Sequence, residues 1–230
     1  MDPEFVRDNS RPMARAVLKW GRAHFQDYPW RHTSSPWLGL IAEIMLARTR
    51  AGTVVPVWTE FSSRYPTPED LLNAPVGEPE NLIESLGLRW RAPLVRSLAE
   101  NLAGNDVPRD PHELEKLPGV GRYVAAAYAS FHGNRRAVII DANVVRLIAR
   151  MNGREYGPET RRERWLNDLA DDMTPVRAFR DYNYGILDLS MTVCVRKPVC
   201  HECPVIKFCS YGARSSVENE DHDPAEPGVR

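Results

Sequence analysis

Apolar residues recur at three- and four-residue spacing along most of this chain, the period of helices that bury one face. Segment 14–25 carries such a stripe, and Pro29 closes it by disfavouring helix in the residue before it. Ser34-Ser35-Pro36 then offers an N-cap followed by a proline suited to a first helical position. The helix this starts, 37–48, is apolar nearly all round through Leu38, Leu40, Ile41, Ile44, Met45 and Leu46, so it is expected to be central and buried. Glu43 sits in its middle. A further helix is predicted over 54–65, ended by Pro66, with short ones over 68–74 and 79–86. Gly87-Leu88-Arg89 interrupts the pattern, and 92–102 resumes it. Segment 110–117 leads into a glycine turn, 124–130 is Ala-rich, and 161–173 and 180–191 are two more helices. The run 137–140 is short, apolar and β-branched, and could be a strand. Asp141 follows it, however, and then Val144, Val145, Leu147 and Ile148 at helical spacing. No strand pattern occurs elsewhere, so the fold class is all-α.

The glycine turn is Leu117-Pro118-Gly119-Val120-Gly121-Arg122-Tyr123, and it reads as helix, tight hairpin, helix. Pro118 can initiate the turn, and the glycines accept backbone angles that other residues resist. With no side chains at Gly119 and Gly121, another backbone can come close. The N–H groups opening the next helix favour an anion, and a phosphodiester is the obvious candidate. An ordinary helix-turn-helix corner explains the same residues.

Composition adds a constraint. The chain has 230 residues, 43% hydrophobic and 27% charged, enough for one large or two small domains. No apolar run approaches the roughly 20 residues that cross a bilayer, and no signal peptide is evident, so no membrane and an intracellular, nucleoid-associated placement are expected. Net charge is -1, which by itself argues against a polyanion partner. The distribution is uneven: 218–226 is acidic and proline-containing and reads as part of a disordered tail, 213–230. The lysines are only Lys19, Lys116, Lys197 and Lys207, so nearly all positive charge is guanidinium, suited to bidentate contacts with phosphate and base edges. Solvated helix faces account for most of these arginines individually.

Four cysteines fall within one short stretch, as Cys194-x5-Cys200-x2-Cys203-x5-Cys209. Such packing suits a metal site, and zinc and an iron–sulfur cluster both accept four thiolates; two disulfides are the other reading. Glu43 on an apolar helix needs a partner, whether as a functional carboxylate or as a structural one capping a neighbouring helix. Asp141 is the best N-cap of its helix. A carboxylate held at a helix N-terminus can also stabilise a developing sugar cation, since the dipole favours negative charge there. Tyr123 could line a site or simply pack.

A helix–hairpin–helix, an aspartate about twenty residues on, and a four-cysteine loop near the C-terminus resemble the endonuclease III and MutY superfamily of DNA glycosylases. The likeness is nearest to its short mismatch-specific thymine and uracil glycosylases. Ile41-Ala42-Glu43-Ile44-Met45-Leu46-Ala47-Arg48-Thr49 is similar to their Glu-bearing helix, Asp141-Ala142-Asn143-Val144-Val145-Arg146 to their Asp-bearing segment, and Arg196-Lys197-Pro198 to the stretch between the first two cysteines. The resemblance covers 17–211, and two departures stand out: the first cysteine spacing is five where the family usually has six, and no further domain like that of MutY follows the cysteines.

The resemblance implies two helical domains with a DNA-binding cleft between them. One is a six-helix barrel with the hairpin over 34–136; the other, 6–33 plus 137–212, holds a [4Fe–4S] cluster on Cys194, Cys200, Cys203 and Cys209, or zinc in its place. It makes Asp141 the catalytic aspartate, and puts Glu43 at the base side, acting through water or orienting the flipped base. Family members with lysine at the Tyr123 position form a Schiff base and nick the strand; a phenol cannot, so a monofunctional enzyme is implied. Gly119, Val120, Gly121 and Arg122 would dock the DNA backbone, while Arg48 and Leu88 would fill the gap left by the flipped nucleotide. The implied activity is base excision of thymine or uracil opposite guanine, by a monomer on double-stranded DNA with a mismatched or damaged base. Adenine or a damaged pyrimidine is the alternative substrate, and a non-catalytic DNA-binding module the alternative class.

Overall fold

The computed structural model describes residues 8–213, and among them the secondary structure is entirely helical. The acidic stretch 218–226 lies outside the described residues. Two compact units share the chain: Gln26–Ile139, and the described parts of Met1–Phe25 and Ile140–Arg230.

In the split unit, α1 (Ser10–His24) packs on α11 (Phe179–Thr192), which also meets α9 (Ala142–Met151), while α10 (Arg164–Met173) meets α1 and α9. The α1–α11 crossing is close because Gly21 faces Gly185: a Cβ at residue 21 would lie 2.8 Å from the Gly185 Cα. α11 is buried along most of its length, including Tyr182, Asn183 and Asp188.

The continuous unit opens on a 3₁₀ turn (Pro29–Arg31) and is built round α2 (Pro36–Leu46). Ser35 caps α2 through its Oγ, which accepts from the Leu38 N–H at 3.3 Å, and Pro36 occupies the first turn. α2 buries Trp37, Leu40, Ile41, Ile44 and Met45 against α3 (Ala51–Arg64) and α8 (Arg122–Phe131). Trp37 Nε1 donates to the Tyr65 carbonyl at 3.1 Å and Trp58 Nε1 to that of Leu38 at 3.2 Å, so both indoles satisfy their polar edge while burying their rings. α2 ends at Leu46, not Arg48, because Arg48 takes a left-handed conformation with φ 72°. α4 (Pro68–Asn73), α5 (Glu78–Glu84), α6 (Ala92–Leu102) and α7 (Pro111–Leu114) complete the unit. The run 137–140 forms no strand: no neighbouring strand exists among the described residues to complete a ladder, so it is a connector into α9.

Arg96 on α6 ties the surface of this unit. Its Nε donates to Glu80 Oε1 at 2.6 Å, with both side chains mostly buried, while Glu80 Oε2 accepts from the Gly77 N–H at 2.9 Å and caps α5. Burial opposes ionisation of Glu80, but the Arg96 hydrogen bond and charge together with backbone N–H groups outweigh it and hold the carboxyl below its usual range. A group lowered on folding adds stability above its unfolded pKa and loses it as pH falls. Arg96→Ala should therefore cost about 2 kcal/mol at pH 7, and the gap from wild type should shrink below pH 4 in urea titrations. Gly21→Ala should lower the calorimetric midpoint by about 4–8 °C, as overpacking by about 2 kcal/mol in a chain of this size implies. Gly52→Ala, in the first turn of α3 where a Cβ meets nothing within 4 Å, should raise it slightly.

Candidate active site

Asp141 is the N-cap of α9, and its carboxylate is fully engaged. Oδ1 accepts from the Asn143 N–H at 2.8 Å and the Val144 N–H at 2.7 Å, and Oδ2 accepts from Asn143 Nδ2 at 2.9 Å. The side chain is only half-buried. Two backbone amides and a side-chain amide thus fix a negative charge in one orientation at the positive end of a helix.

From Asn143 the hydrogen bonding continues along α9. Asn143 Oδ1 accepts from Arg146 Nη1 at 3.0 Å, Arg146 Nε donates to the Cys194 carbonyl at 2.8 Å, and Nη2 donates to that of Ser190 at 2.7 Å. One turn on, Arg150 Nη1 donates to the Val195 carbonyl at 2.6 Å and approaches Cys194 Sγ at 3.6 Å, and Nη2 donates to the Arg196 carbonyl at 2.9 Å. A chain of polar contacts therefore runs from the Asp141 carboxylate to the first cysteine. The sequence reading named Asn143 and the paired arginines but gave them no part in holding Asp141; the i, i+4 spacing of Arg146 and Arg150 on one face of α9 was the available signal.

All four cysteines are free thiols lining one cavity with Arg150, Pro198 and Tyr211. Burial, and after it the charge of the neighbouring thiolates, pushes the Cys203 thiol up to about 12. Cys200 and Cys209 are raised for the same leading reason. Thiolates gathered there are costly unless a cation joins them. Arg150 at Cys194 and the Gly212 N–H, 3.4 Å from Cys209 Sγ, are donors of the kind that accompany metal-bound sulfur. The donor chemistry fits a group bound through four thiolates, although among the described residues no three metal-capable side chains are drawn together round one point.

In the continuous unit the hairpin follows α7 and opens α8. The Val120 N–H closes the turn onto the Leu117 carbonyl at 3.2 Å, and Val120 is buried. Gly119 has φ 77°, which only glycine adopts without strain. Gly121 has an ordinary φ, and a Cβ there would meet nothing within 4 Å. Its missing side chain serves no packing inside the protein; it leaves room outside. No side chain caps α8, and Arg122 is exposed beside this open end. Tyr123 is half-buried on the first turn, packed against the core.

Glu43 is buried on α2, and its Oε1 lies 3.2 Å from Nε2 of His132, the C-cap of α8. Arg48, exposed, follows α2 in a conformation that costs about 1–2 kcal/mol for a residue with a Cβ. Arg91 braces that corner: its Nη1 donates to the carbonyls of Ile44 at 2.9 Å and Ala47 at 3.2 Å. Burial, and then the nearby Arg48 charge, lowers the pKa of Arg91. Leu88, expected to fill the gap left by a flipped nucleotide, is instead 4% exposed and packed within the core. The large apolar side chain this turn presents is Trp90, 58% exposed, with the Arg91 guanidinium stacked 4.5 Å from its ring centre. Sequence reasoning missed Trp90, Arg91 and His132.

Residues 41–168 match the model of the HhH-GPD superfamily of base excision DNA repair proteins, a span that includes Glu43, the hairpin, Tyr123 and Asp141. The chain belongs to that superfamily. It is similar to the thymine/uracil-DNA glycosylase of Methanothermobacter thermautotrophicus, 37% identical over 87% of this chain and 93% of that protein. The thymine-DNA glycosylase of Aeropyrum pernix is 33% identical, over 86% of this chain and 93% of its own length. The solved structure of a thermostable thymine-DNA glycosylase superposes with a TM-score of 0.81 at 35% identity, covering 90% of this chain and 98% of that one. This protein is a DNA N-glycosylase of base excision repair.

Proposed function

We propose that the chain is a monofunctional glycosylase that hydrolyses the N-glycosidic bond of thymine or uracil mispaired with guanine. The observation that carries this reading is the Asp141 carboxylate, locked by two backbone amides at 2.7 and 2.8 Å within the segment shared with the family. As the base departs, positive charge grows on the deoxyribose, and a fixed carboxylate stabilises it without reorganising. Water then takes the sugar carbon. Tyr123 is a phenol and offers no amine to form an imine, so the product is an abasic site with the strand intact. Glu43 serves the base side, ordering a water or the pyrimidine itself. The names carried by the similar proteins support thymine and uracil as the bases removed.

The DNA contacts follow the same reading. The open face at Gly121 and the uncapped start of α8 receive a phosphate, with Gly119 and Val120 shaping the turn and Arg122 adding charge. Arg48 enters the gap left by the extruded nucleotide. Leu88 is buried, so from its turn the exposed Trp90 stands ready to cover the broken stack. Flipping costs a few kcal/mol and least at a mismatch, which favours such targets. Among the described residues no helix is long and apolar enough to cross a membrane, and we take the enzyme to act as a monomer on double-stranded DNA.

Cys194, Cys200, Cys203 and Cys209 would hold a [4Fe–4S] cluster, with zinc as the alternative. Bound, the group would cross-link the loop on which Arg146 and Arg150 rest.

End-labelled duplexes carrying G·T, G·U or A·8-oxoguanine, incubated and then treated with hot alkali, test the activity. Cleavage of the first two only after alkali is expected; breaks without alkali would overturn the monofunctional assignment. Asp141→Asn should bind mismatched duplex normally but release base about 10²–10³-fold more slowly. Purified protein should show a broad absorbance near 400 nm with bound iron, and a colourless protein containing zinc would replace the cluster with the alternative metal.

A further inference from the structure

Glu43 and His132 are almost completely enclosed, with side chains 3% and 4% exposed. Among the described residues, His132 is the one hydrogen-bond partner of the Glu43 carboxylate, at 3.2 Å. The two lie 89 positions apart in sequence, on different helices. A specific space has been left for their meeting. Gly39 precedes Glu43 by four residues and so lies on the same face of α2. A Cβ at Gly39 would fall 2.6 Å from Cγ and Nδ1 of the His132 ring. The imidazole therefore rests on bare backbone at residue 39 and reaches along the helix to residue 43. Its other surfaces are fixed as well: the ring stacks on Tyr128 at 5.8 Å between centres, Phe131 stands edge-on at 6.5 Å, and the His132 N–H is bonded to the Tyr128 carbonyl.

Holding α2 to α8 does not require such a pair. A buried pair of ionisable groups rarely stabilises a fold more than apolar side chains of the same volume, because desolvation offsets the attraction. α2 is otherwise apolar, so apolar side chains already join it to its neighbours. What the imidazole adds is orientation: a carboxylate with one bonded oxygen keeps a single rotamer and leaves its other oxygen uncommitted. We infer that His132 is a positioning residue for Glu43, its Nε2–H donating to Oε1 and holding Oε2 for the water or the pyrimidine oxygen on which charge develops. Gly39 belongs to the same device as the opening that admits the ring. This inference rests on the role proposed above for Glu43.

Single-turnover base release from G·T and G·U duplexes tests it, with duplex affinity and thermal midpoint measured alongside. His132→Phe keeps the ring volume and the stacking but removes the donor. Its rate should fall about tenfold, the size of one lost hydrogen bond to a charged group, with affinity close to wild type and the midpoint lowered by the buried Glu43 left unpaired. His132→Gln, whose amide reaches as far as Nε2, should restore most of that loss. In a Glu43→Gln background, His132→Phe should slow release no further, since it acts through the carboxylate. An unchanged rate in His132→Phe, an equal loss in the Glu43→Gln background, or no recovery with Gln would each overturn the inference while leaving the activity in place. A wild type that releases base from neither duplex would instead remove the proposed activity, and the inference with it.

Discussion

Two amide hydrogens at the start of α9, aimed at one oxygen of Asp141, are the contact on which the proposed chemistry depends. The same bonds satisfy the helix and hold the carboxylate, so local folding and preorganisation are one event. A cap of this kind contributes about 1 kcal/mol to a helix, yet serine or asparagine would cap nearly as well. Aspartate alone among the good caps brings full negative charge. It can stabilise a cation at no further cost in reorganisation, because the helix has already fixed it.

The rest of that unit braces this cap. Asn143 takes the second carboxylate oxygen, and Arg146 and Arg150 carry the connection to backbone carbonyls of the cysteine loop. Guanidinium groups suit this because each serves several carbonyls in a fixed plane. The cysteine loop itself is short and contains only 3₁₀ turns, Cys200–Glu202 and Ile206–Phe208. It has few regular backbone bonds of its own. The arginines of α9 therefore shape it, together with the metal group proposed for the thiolates. Its clustered thiols, pushed up by burial and by one another, are poor isolated ligand precursors and good shared ones.

How much of this could be read from the sequence divides along distance in the chain. Asp141 as a cap, the Gly119 turn and the central apolar helix rest on neighbouring residues, and the pattern of types sufficed. The end of α2 did not. Its apolar spacing runs on past Leu46, but Arg91 bonds the carbonyls of Ile44 and Ala47 from 47 and 44 positions away, and Arg48 turns left-handed. Leu88 shows the same limit: between a glycine and two polar or aromatic neighbours it reads as a loop tip, while the fold turns it inward and presents Trp90. The short run before Asp141 has strand composition, but β-branched residues prefer strands only where another strand supports them. Glu43 was visible as an anomaly on its helix; its partner could come only from the folded chain.

Glu43 and Asp141 illustrate two ways to keep a carboxylate in a protein. Asp141 is half-exposed and bound by donors from its own first turn, so its position survives changes elsewhere. Glu43 is enclosed, and its orientation depends on an imidazole set by α8, on a glycine in α2 and on the packing of both helices. Removing one partner of such a pair leaves a buried charge without compensation, which is far more damaging than never having built the pair. An apolar helix at the centre of a core has no energetic reason to carry that risk. The one charge retained there is therefore the clearest sign in this unit that α2 is shaped by what it must do as well as by how it packs.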